Sequence, residues 1–224
     1  MLVKFGNWIF HNRNILFPLF YAALFIPSPD ILSLEWALSL GGIFIAAGIL
    51  IRSITIGLEY IVRGGFKRKI YATNLVTGGI YSLCRNPMYL GNILLILGFG
   101  IFANSLIFIL IFFPVFLFLY FAIISAEEAF LSKKFGEEYE AYKSKVKALI
   151  PDLIQIESAF KGYQFNWKQV LKKEYNSLFL YISGIEILLY YNEQIGDLTL
   201  LINMGIIVVL YGTVKYLKNN EYLD

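Results

Sequence analysis

The stretch from Ser105 to Ser125 contains no charged residue, and this limits what the chain can fold into more than any other feature. A helix that crosses the hydrocarbon core of a bilayer needs about 20 predominantly apolar residues, and this stretch supplies them. Of the whole chain, 58% is hydrophobic and only 16% charged, whereas a soluble domain carries about a quarter charged residues. So large an apolar excess cannot be buried in one soluble core, so the sequence predicts an integral membrane protein.

The same numbers argue against several other classes of protein. The single cysteine cannot form an internal disulfide, which excludes a disulfide-stapled domain. The net charge of +3 is small, and the basic residues lie in loops that would face a membrane, so nucleic-acid binding is not predicted. The sequence also predicts no metal site.

Apolar segments predict six membrane spans and therefore an all-α, polytopic helix bundle. The segments are 9–27, 36–60, 87–103, 105–125, 177–191 and 198–216. Only Ala103-Asn104-Ser105 separates the third segment from the fourth, which leaves room for nothing but a tight helical hairpin. Three parts follow along the chain: two N-terminal spans in 1–70, a core in 71–151, and a connector with two further spans in 152–224.

Lysine and arginine predict the orientation of these spans. They fall in 1–14, 61–86, 126–176 and the C-terminal tail, and only Arg52 lies inside a span away from its ends. The loops of the opposite side, 27–35, Asn104 and 192–197, contain none. By the positive-inside rule both termini are expected in the cytoplasm. The expected location is the inner or plasma membrane of a prokaryote, or the endoplasmic reticulum of a eukaryote.

Beyond the fourth span, apolar residues recur every three or four positions with Glu and Lys between them. They are Phe130, Leu131, Phe135, Tyr139, Tyr142, Val146 and Leu149. This spacing predicts an amphipathic helix that lies along the cytoplasmic face and ends at Pro151.

The hairpin brings distant polar residues to one level. Counted outward from Asn104, Arg85 and Glu127 lie ~29 Å and ~34 Å away at 1.5 Å per residue. Arg85, Asn86 and Tyr89 are therefore expected close to Glu127 and Glu128. A cation, an amide and two carboxylates could bind a small zwitterion, and the alternative is an interfacial salt bridge between snorkelling side chains.

The motifs around these residues carry a family resemblance. The first reads Thr77-Gly78-Gly79-Ile80-Tyr81-Ser82-Leu83-Cys84-Arg85-Asn86-Pro87-Met88-Tyr89-Leu90-Gly91. After the hairpin come Glu127-Glu128-x-x-Leu131 and Phe135-Gly136-Glu137-Glu138-Tyr139-x-x-Tyr142. Over about 71–151 this resembles the integral-membrane methyltransferases of the isoprenylcysteine carboxyl methyltransferase and phospholipid methyltransferase superfamily.

The resemblance implies a pocket for S-adenosyl-L-methionine, with a methyl acceptor entering from the lipid side. Carried over by position, the cofactor-binding residues would be Tyr81, Arg85, Asn86, Pro87, Tyr89, Gly91, Glu127 and Glu128. Arg85 would face the cofactor's carboxylate and one of the two glutamates its ammonium, and which glutamate does so stays open. The lipid bilayer and a lipid-like or small hydrophobic acceptor, with a carboxylate, amine or thiol as the methylated group, are the expected partners.

The chain also departs from the family pattern. Asn86 stands where many relatives have His, and an amide can only hydrogen-bond. Ile80 replaces a frequent Pro, and residues 152–224 extend beyond the family core. Methyl transfer from a sulfonium requires alignment more than a catalytic nucleophile, so no catalytic residue is assigned, and Arg52 is the candidate partner for an anionic acceptor group.

Two other functions compete with this one. Sterol reductases carry a similar box before a C-terminal hairpin and use NADPH, although the helix that begins at Glu127 favours the methyltransferases. A non-catalytic membrane scaffold of the same fold would bind no cofactor at all.

Overall fold

The computed structural model describes residues 1–58 and 70–223, and within them the regular structure is helical throughout. The predicted all-α class is therefore confirmed. The nine α-helices of the described residues are α1 (Leu2–Tyr21), α2 (Leu34–Leu58), α3 (Ile80–Leu83), α4 (Pro87–Phe102), α5 (Phe113–Phe135), α6 (Glu137–Lys145), α7 (Ile156–Phe160), α8 (Trp167–Tyr191) and α9 (Asp197–Asn219).

Three helical stretches in the described residues are long and apolar enough to cross a membrane. They are Leu34–Leu58, Phe108–Phe135 and Asp197–Asn219, and Pro87–Phe102 is a shorter apolar helix. Helix α1 begins seven residues before the predicted span. Its first turns include Lys4 and other polar residues, so the apolar pattern that predicts a span does not extend over them. The count of six spans and the cytoplasmic termini stay predictions. Four of the basic residues used for orientation, Arg63, Lys67, Arg68 and Lys69, lie outside the described residues.

The chain forms two compact units. Among the described residues, the first holds 1–55 and 70–163, and the second holds 56–58 and 164–223. The polar motifs of the sequence all fall in the first unit.

In the first unit α1 packs antiparallel along α5. A Cβ atom placed on Gly6 would lie 1.9 Å from the carbonyl oxygen of Ala122, so the two backbones are in close contact there. Farther along, the ring of Phe17 lies 5.4 Å from that of Phe116 and 5.3 Å from that of Tyr120. The small residue permits close approach at one end of the crossing, and aromatic rings fill the space at the other.

Helices α2 and α4 meet through glycines spaced seven residues apart. A Cβ on Gly48 would lie 2.7 Å from the carbonyl oxygen of Gly91, and a Cβ on Gly98 would lie 2.7 Å from the backbone nitrogen of Ile45. Glycine is required at these positions because the facing atoms belong to backbone, which cannot rotate aside. This is the packing by small residues that apolar helices use where the hydrophobic effect does not drive their association.

The hairpin between α4 and α5 turns at Asn104, which has a φ of 52°. The Asn104 side chain is buried and accepts hydrogen bonds from the backbone N–H groups of Ile31 and Leu32, at 2.9 and 3.1 Å. Its amide donates to the carbonyl of Leu32 at 2.8 Å. The hairpin tip and the loop before α2 therefore lie together, as the predicted topology requires of two loops on the same side.

Helix α5 is preceded by one π-helical turn, Phe108–Phe112, and then continues to Phe135. Pro114 has no N–H to donate to the preceding turn, so the hydrogen-bond ladder is rearranged at this point. The helix also runs ten residues past the predicted end of the fourth span at Ser125. The charged residues Glu127 and Glu128 are thus part of the same helix as the apolar span.

The single amphipathic helix predicted up to Pro151 is divided in the structure. Gly136, with a φ of 54°, separates α5 from α6, and α6 ends at Lys145. Glycine adopts this backbone conformation without the strain that a side chain would cause. The apolar face packs on the protein itself, in a cluster of Ala72, Leu131, Tyr139 and Tyr142 bordered by Leu75, Phe130, Phe135 and Val146.

The second unit is built on the antiparallel pair α8 and α9. Asn203 donates to the Glu186 carboxylate at 2.9 Å, and the Tyr211 hydroxyl donates to the Asn176 side chain at 3.0 Å. The ring of Tyr211 stacks on that of Tyr175 at 5.4 Å. Polar pairs spaced along the two helices therefore fasten this hairpin.

Candidate functional site

The polar cluster of the first unit is built where α4 begins. Just before Pro87, the backbone is extended and pairs with residues 146–152, which follow α6. Arg85 and Asn86 donate their backbone N–H groups to the carbonyls of Lys147 and Ala148, both at 3.0 Å. Asp152 donates in return to the carbonyl of Leu83, also at 3.0 Å. These bonds satisfy backbone groups of a helix start that would otherwise be buried without partners.

Arg85 joins three segments of chain through its guanidinium group. Nη2 donates to Oε1 of Glu128 at 2.6 Å. Nη1 donates to the carbonyl of Lys143 at 3.0 Å and to the carbonyl of Val146. The side chain is only 10% exposed. Arg85 thus ties the start of α4 to α5 and to the C-terminal end of α6, with the planar fork of donors that lysine lacks.

Glu128 is held between two cations. Its Oε1 accepts from Arg85, and its Oε2 lies 3.2 Å from the Nζ atom of Lys143. The carboxylate is 15% exposed, whereas the Lys143 side chain is 38% exposed. The charge of Glu128 is therefore compensated on both oxygens, with Lys143 as the more accessible partner.

Glu127 faces a different neighbour. The Tyr89 hydroxyl, on α4, donates to Oε1 of Glu127 at 2.7 Å, and Glu127 is buried. The centre of the Tyr89 ring lies 5.5 Å from that of Tyr120, so Tyr120 borders the same polar cluster. Successive residues of an α-helix point about 100° apart, which is why the two adjacent glutamates contact different residues.

Asn86 and Tyr81 are buried structural parts of this cluster. The Asn86 amide donates to the carbonyl of Ala148 at 3.1 Å, the same oxygen that accepts from its backbone N–H group. The Tyr142 hydroxyl donates to the carbonyl of Tyr81 at 2.7 Å. Both interactions fasten α6 and the following segment to the motif that precedes α4.

Cys84 lies within the same motif. The thiol contacts the carbonyl oxygen of Ala148 at 3.3 Å and is buried. Burial raises the pKa of the Cys84 thiol to about 11, against the smaller opposite effects of a hydrogen bond and of the nearby Arg85. At neutral pH the thiol is protonated and behaves as a small apolar side chain.

Pro87 lies at the start of α4, and Gly91 of α4 faces Arg52 of α2. Pro87 occupies the first turn of α4, where its missing N–H removes no helical bond. A Cβ on Gly91 would lie 2.7 Å from Cγ of Arg52, so this glycine makes room for the arginine stem. The buried Arg52 guanidinium donates to the side-chain oxygen of Asn92.

The structure brings together most of the residues that the sequence singled out. The expected proximity of Arg85 and Tyr89 to Glu127 and Glu128 is confirmed as two direct contacts. Gly91 and Arg52 meet each other on the neighbouring face of α4. The roles of all these residues in cofactor binding stay predictions.

Sequence reasoning missed three participants. Lys143 was not among the predicted site residues, although it lies two turns of helix beyond Gly136 on a face shared with Tyr139. Asn92, a polar residue within an apolar span three positions after Tyr89, was a visible signal. Tyr142 was assigned to an apolar face, and its hydroxyl gave no signal of a backbone partner.

The described residues contain no group of three or more His, Cys, Asp or Glu side chains that could hold a metal ion.

Comparison with known proteins bears directly on the segment that contains this cluster. Residues 36–138, somewhat less than half of the chain, match the model of the phospholipid methyltransferase family. Protein-S-isoprenylcysteine O-methyltransferase of Schizosaccharomyces pombe is 40% identical over 81 residues, which are 34% of this chain and 33% of that protein. The resemblance to the membrane methyltransferase superfamily is confirmed.

Two other relatives of this methyltransferase-like segment have names drawn from metal resistance. The cobalt-zinc-cadmium resistance protein CzcN of Cupriavidus metallidurans is 40% identical over 79 residues, 35% of this chain and 36% of that protein. The nickel-cobalt-cadmium resistance protein NccN of Alcaligenes xylosoxydans xylosoxydans is 37% identical over 82 residues, 37% of this chain and 38% of that protein. The chain thus matches about a third of the length of each of these curated relatives. No solved structure matches it significantly.

Proposed function

We propose that the protein is a membrane methyltransferase that uses S-adenosyl-L-methionine and methylates a lipid-like or small hydrophobic acceptor. One observation supports this more than any other. The contacts Arg85–Glu128 and Tyr89–Glu127 join residues 43 and 38 positions apart into one buried cluster, inside the segment that matches methyltransferases. An incidental surface salt bridge would join two exposed side chains and would not recruit backbone carbonyls of a third segment.

The chemistry of the side chains in the cluster fits the amino-acid part of the proposed cofactor. A zwitterion requires a cation for its carboxylate and a carboxylate for its ammonium. Arg85 and Lys143 supply cations, and Glu127 and Glu128 supply carboxylates. Apolar and aromatic groups for an adenine ring are present beside them, in Tyr89 and Tyr120.

The two glutamates have different roles in this proposal. Both oxygens of Glu128 already contact cations, so Glu128 holds Arg85 and Lys143 in position. Glu127 accepts a hydrogen bond from the Tyr89 hydroxyl, which orients its carboxylate. We therefore assign the cofactor's ammonium to Glu127 and its carboxylate to the cations Arg85 and Lys143.

The bound cofactor would supply a methyl group already activated by its sulfonium. The chain then has to hold the acceptor in line with that methyl group and to exclude water, which by itself accounts for much of the lowering of the barrier. A carboxylate acceptor gives a methyl ester without losing a proton, whereas an amine or thiol has to lose one. Arg52, the buried cation on α2, would hold an anionic acceptor group.

Calorimetric titration tests the cofactor first. The full chain in lipid nanodiscs is titrated with S-adenosylhomocysteine and, separately, with NADPH. Binding of S-adenosylhomocysteine alone supports the proposal, and its loss in Glu127→Gln but not in Glu138→Gln supports the assignment. Glu138 is an exposed glutamate of α6, so its substitution is a matched change of charge outside the cluster.

The other outcomes identify the competing functions. Binding of NADPH alone would indicate a reductase, and binding of neither ligand to folded protein would indicate a non-catalytic scaffold. If S-adenosylhomocysteine binds, radiolabelled methyl transfer to dodecanoic acid, dodecylamine and dodecanethiol then identifies the class of acceptor. Preference for dodecanoic acid, lost in Arg52→Gln, is the result expected for an anionic acceptor.

A further inference from the structure

A group of large apolar side chains is exposed in the segment that follows α6. Ile150 is 67% exposed, Leu153 64%, Ile154 94% and Ile156 46%. We call these residues and those between them the 150–156 patch. These four exposed apolar side chains lie within seven residues and outside the long apolar helices of the described residues, and exposed apolar surface of this kind marks a site of interaction.

The backbone of the patch is held in place by hydrogen bonds. The Asp152 carboxylate accepts from the backbone N–H of Ile154 at 3.2 Å and from the Gln155 side chain at 3.0 Å. Asp152 also donates its backbone N–H to Leu83. These hydrogen bonds order the turn that carries the exposed apolar side chains.

Backbone hydrogen bonds also hold the patch close to the start of the apolar helix α4. Residues 147, 148 and 152 pair with residues 83–86, and α4 starts at the next residue, Pro87. Helix α4 has 16 residues and so a length of about 24 Å, less than the ~30 Å of a hydrocarbon core. For α4 to span the core, the residues at its start have to lie at the boundary between headgroups and acyl chains.

Charges beside the patch suit a membrane surface. Lys145 and Lys147 are exposed immediately before it, and Lys161 is exposed after it, while Asp152 and Glu157 are the acidic residues within or next to it. Apolar side chains bordered by lysines are the combination that binds at a lipid interface containing anionic headgroups.

We propose that the 150–156 patch inserts into the headgroup–acyl boundary of the leaflet in which α4 begins, with Lys145 and Lys147 at anionic headgroups. The patch continues the segment whose carbonyls hold Arg85 and Asn86. Lipid contact at the patch therefore fixes the backbone that supports the polar cluster. This contact does not depend on methyl transfer or on cofactor binding.

Fluorescence quenching of a labelled cysteine tests the insertion. The full chain with Ile154→Cys is labelled with a nitrobenzoxadiazole maleimide at pH 7 and reconstituted into nanodiscs of phosphatidylcholine with phosphatidylglycerol. Quenching is measured with phosphatidylcholine that carries a nitroxide at acyl carbon 5 or 12, and with aqueous iodide. Cys84 stays unlabelled because it is buried and its pKa is raised to about 11, and the parent protein checks this.

Two further variants define the extremes of depth. Glu138→Cys places the label on an exposed polar site of α6, and Phe118→Cys places it on the exposed apolar face of α5. The expected result at position 154 is loss of iodide quenching relative to position 138, with stronger quenching from carbon 5 than from carbon 12. Position 118 should show the opposite order of the two nitroxides.

Two results would overturn the insertion of the patch, and a third would overturn the proposed contact of the lysines with anionic headgroups. Iodide quenching at position 154 equal to that at position 138 would place the patch in water. Quenching by neither iodide nor nitroxide lipid would mean that protein, such as a second copy, covers it. If nitroxide quenching does not change in the double variant Lys145→Gln, Lys147→Gln, or after removal of phosphatidylglycerol, the two lysines do not contact anionic headgroups.

Discussion

The first unit and the α8–α9 hairpin use glycine in opposite ways. At Gly48 and Gly98, a Cβ would lie 2.7 Å from backbone atoms of the neighbouring helix. At Gly205 and Gly212 on α9, a Cβ would meet no atom within 4 Å. Close backbone approach is thus a property of the unit that contains the polar cluster, and the hairpin of the second unit does not require it.

The polar groups of the two units differ in the number of chain segments that they connect. In the hairpin each polar pair, such as Glu186–Asn203, joins only two neighbouring helices. In the first unit Arg85 alone connects α4, α5 and the end of α6. A charged group held from several sides is preorganised for binding, whereas a polar pair in a hairpin chiefly fastens two helices.

The largest effect on cofactor affinity is expected from substitution of Arg85. Arg85→Ala removes the bonds to Glu128 and to two backbone carbonyls, so we expect the affinity for S-adenosylhomocysteine to fall at least about 100-fold, or roughly 3 kcal/mol. Calorimetry on protein in nanodiscs measures it, with the exposed Lys133→Ala as the control. Unchanged affinity in folded Arg85→Ala protein would contradict the proposed binding site.

The contrast in glycine use predicts a difference in stability. In Gly98→Ala the new methyl group meets the backbone of Ile45 and Gly41, and we expect a loss of about 2 kcal/mol through overpacking. In Gly205→Ala nothing is met, so stability should not fall. Thermal unfolding midpoints in one detergent compare the two, and equal shifts would remove the distinction between the units.

A smaller effect is expected at Tyr89, whose hydroxyl contacts Glu127. Tyr89→Phe deletes the hydroxyl that orients the carboxylate but keeps the ring beside Tyr120. The affinity for S-adenosylhomocysteine should fall about tenfold, which corresponds to ~1.4 kcal/mol. The same substitution at the exposed Tyr216 is the control. A fall in the unfolding midpoint without a change in affinity would show that the hydroxyl is structural.

The smallest effect is expected in the hairpin. Asn203→Ala removes the hydrogen bond to Glu186, and interhelical bonds of this kind contribute about 0.6 kcal/mol within membranes. Unfolding should occur slightly earlier, and binding of S-adenosylhomocysteine should not change. Reduced binding would mean that α8 and α9 take part in the function of the first unit.

Much of the fold could be predicted because its main signals are local. The uncharged run at 105–125 and the short Ala103–Ser105 linker predicted the hairpin. The constant rise of a helix predicted that Arg85 lies close to Glu127 and Glu128. The break at Gly136 could not be predicted with the same certainty, since a glycine inside a periodic pattern is compatible with either a continuous or a divided helix.

The rest of the candidate site depends on tertiary contacts. The pairing of residues 83–86 with 147–152 uses backbone groups, which every sequence offers, so no side-chain pattern indicated it. The contacts of Arg52 with Gly91 and Asn92 depend on how α2 lies against α4. Glycines seven residues apart were visible in the sequence, but their partners were not.

The π-helical turn at Phe108–Phe112 determines the direction, around the helix axis, in which the later side chains of α5 point. A single π turn accommodates one extra residue, and one residue corresponds to about 100° of rotation. In an uninterrupted α-helix Ala126 would therefore point where Glu127 now points, and Glu127 would take the direction of Glu128. The π turn next to Pro114 therefore rotates the rest of the helix so that the carboxylate of Glu127, and not the methyl group of Ala126, contacts Tyr89.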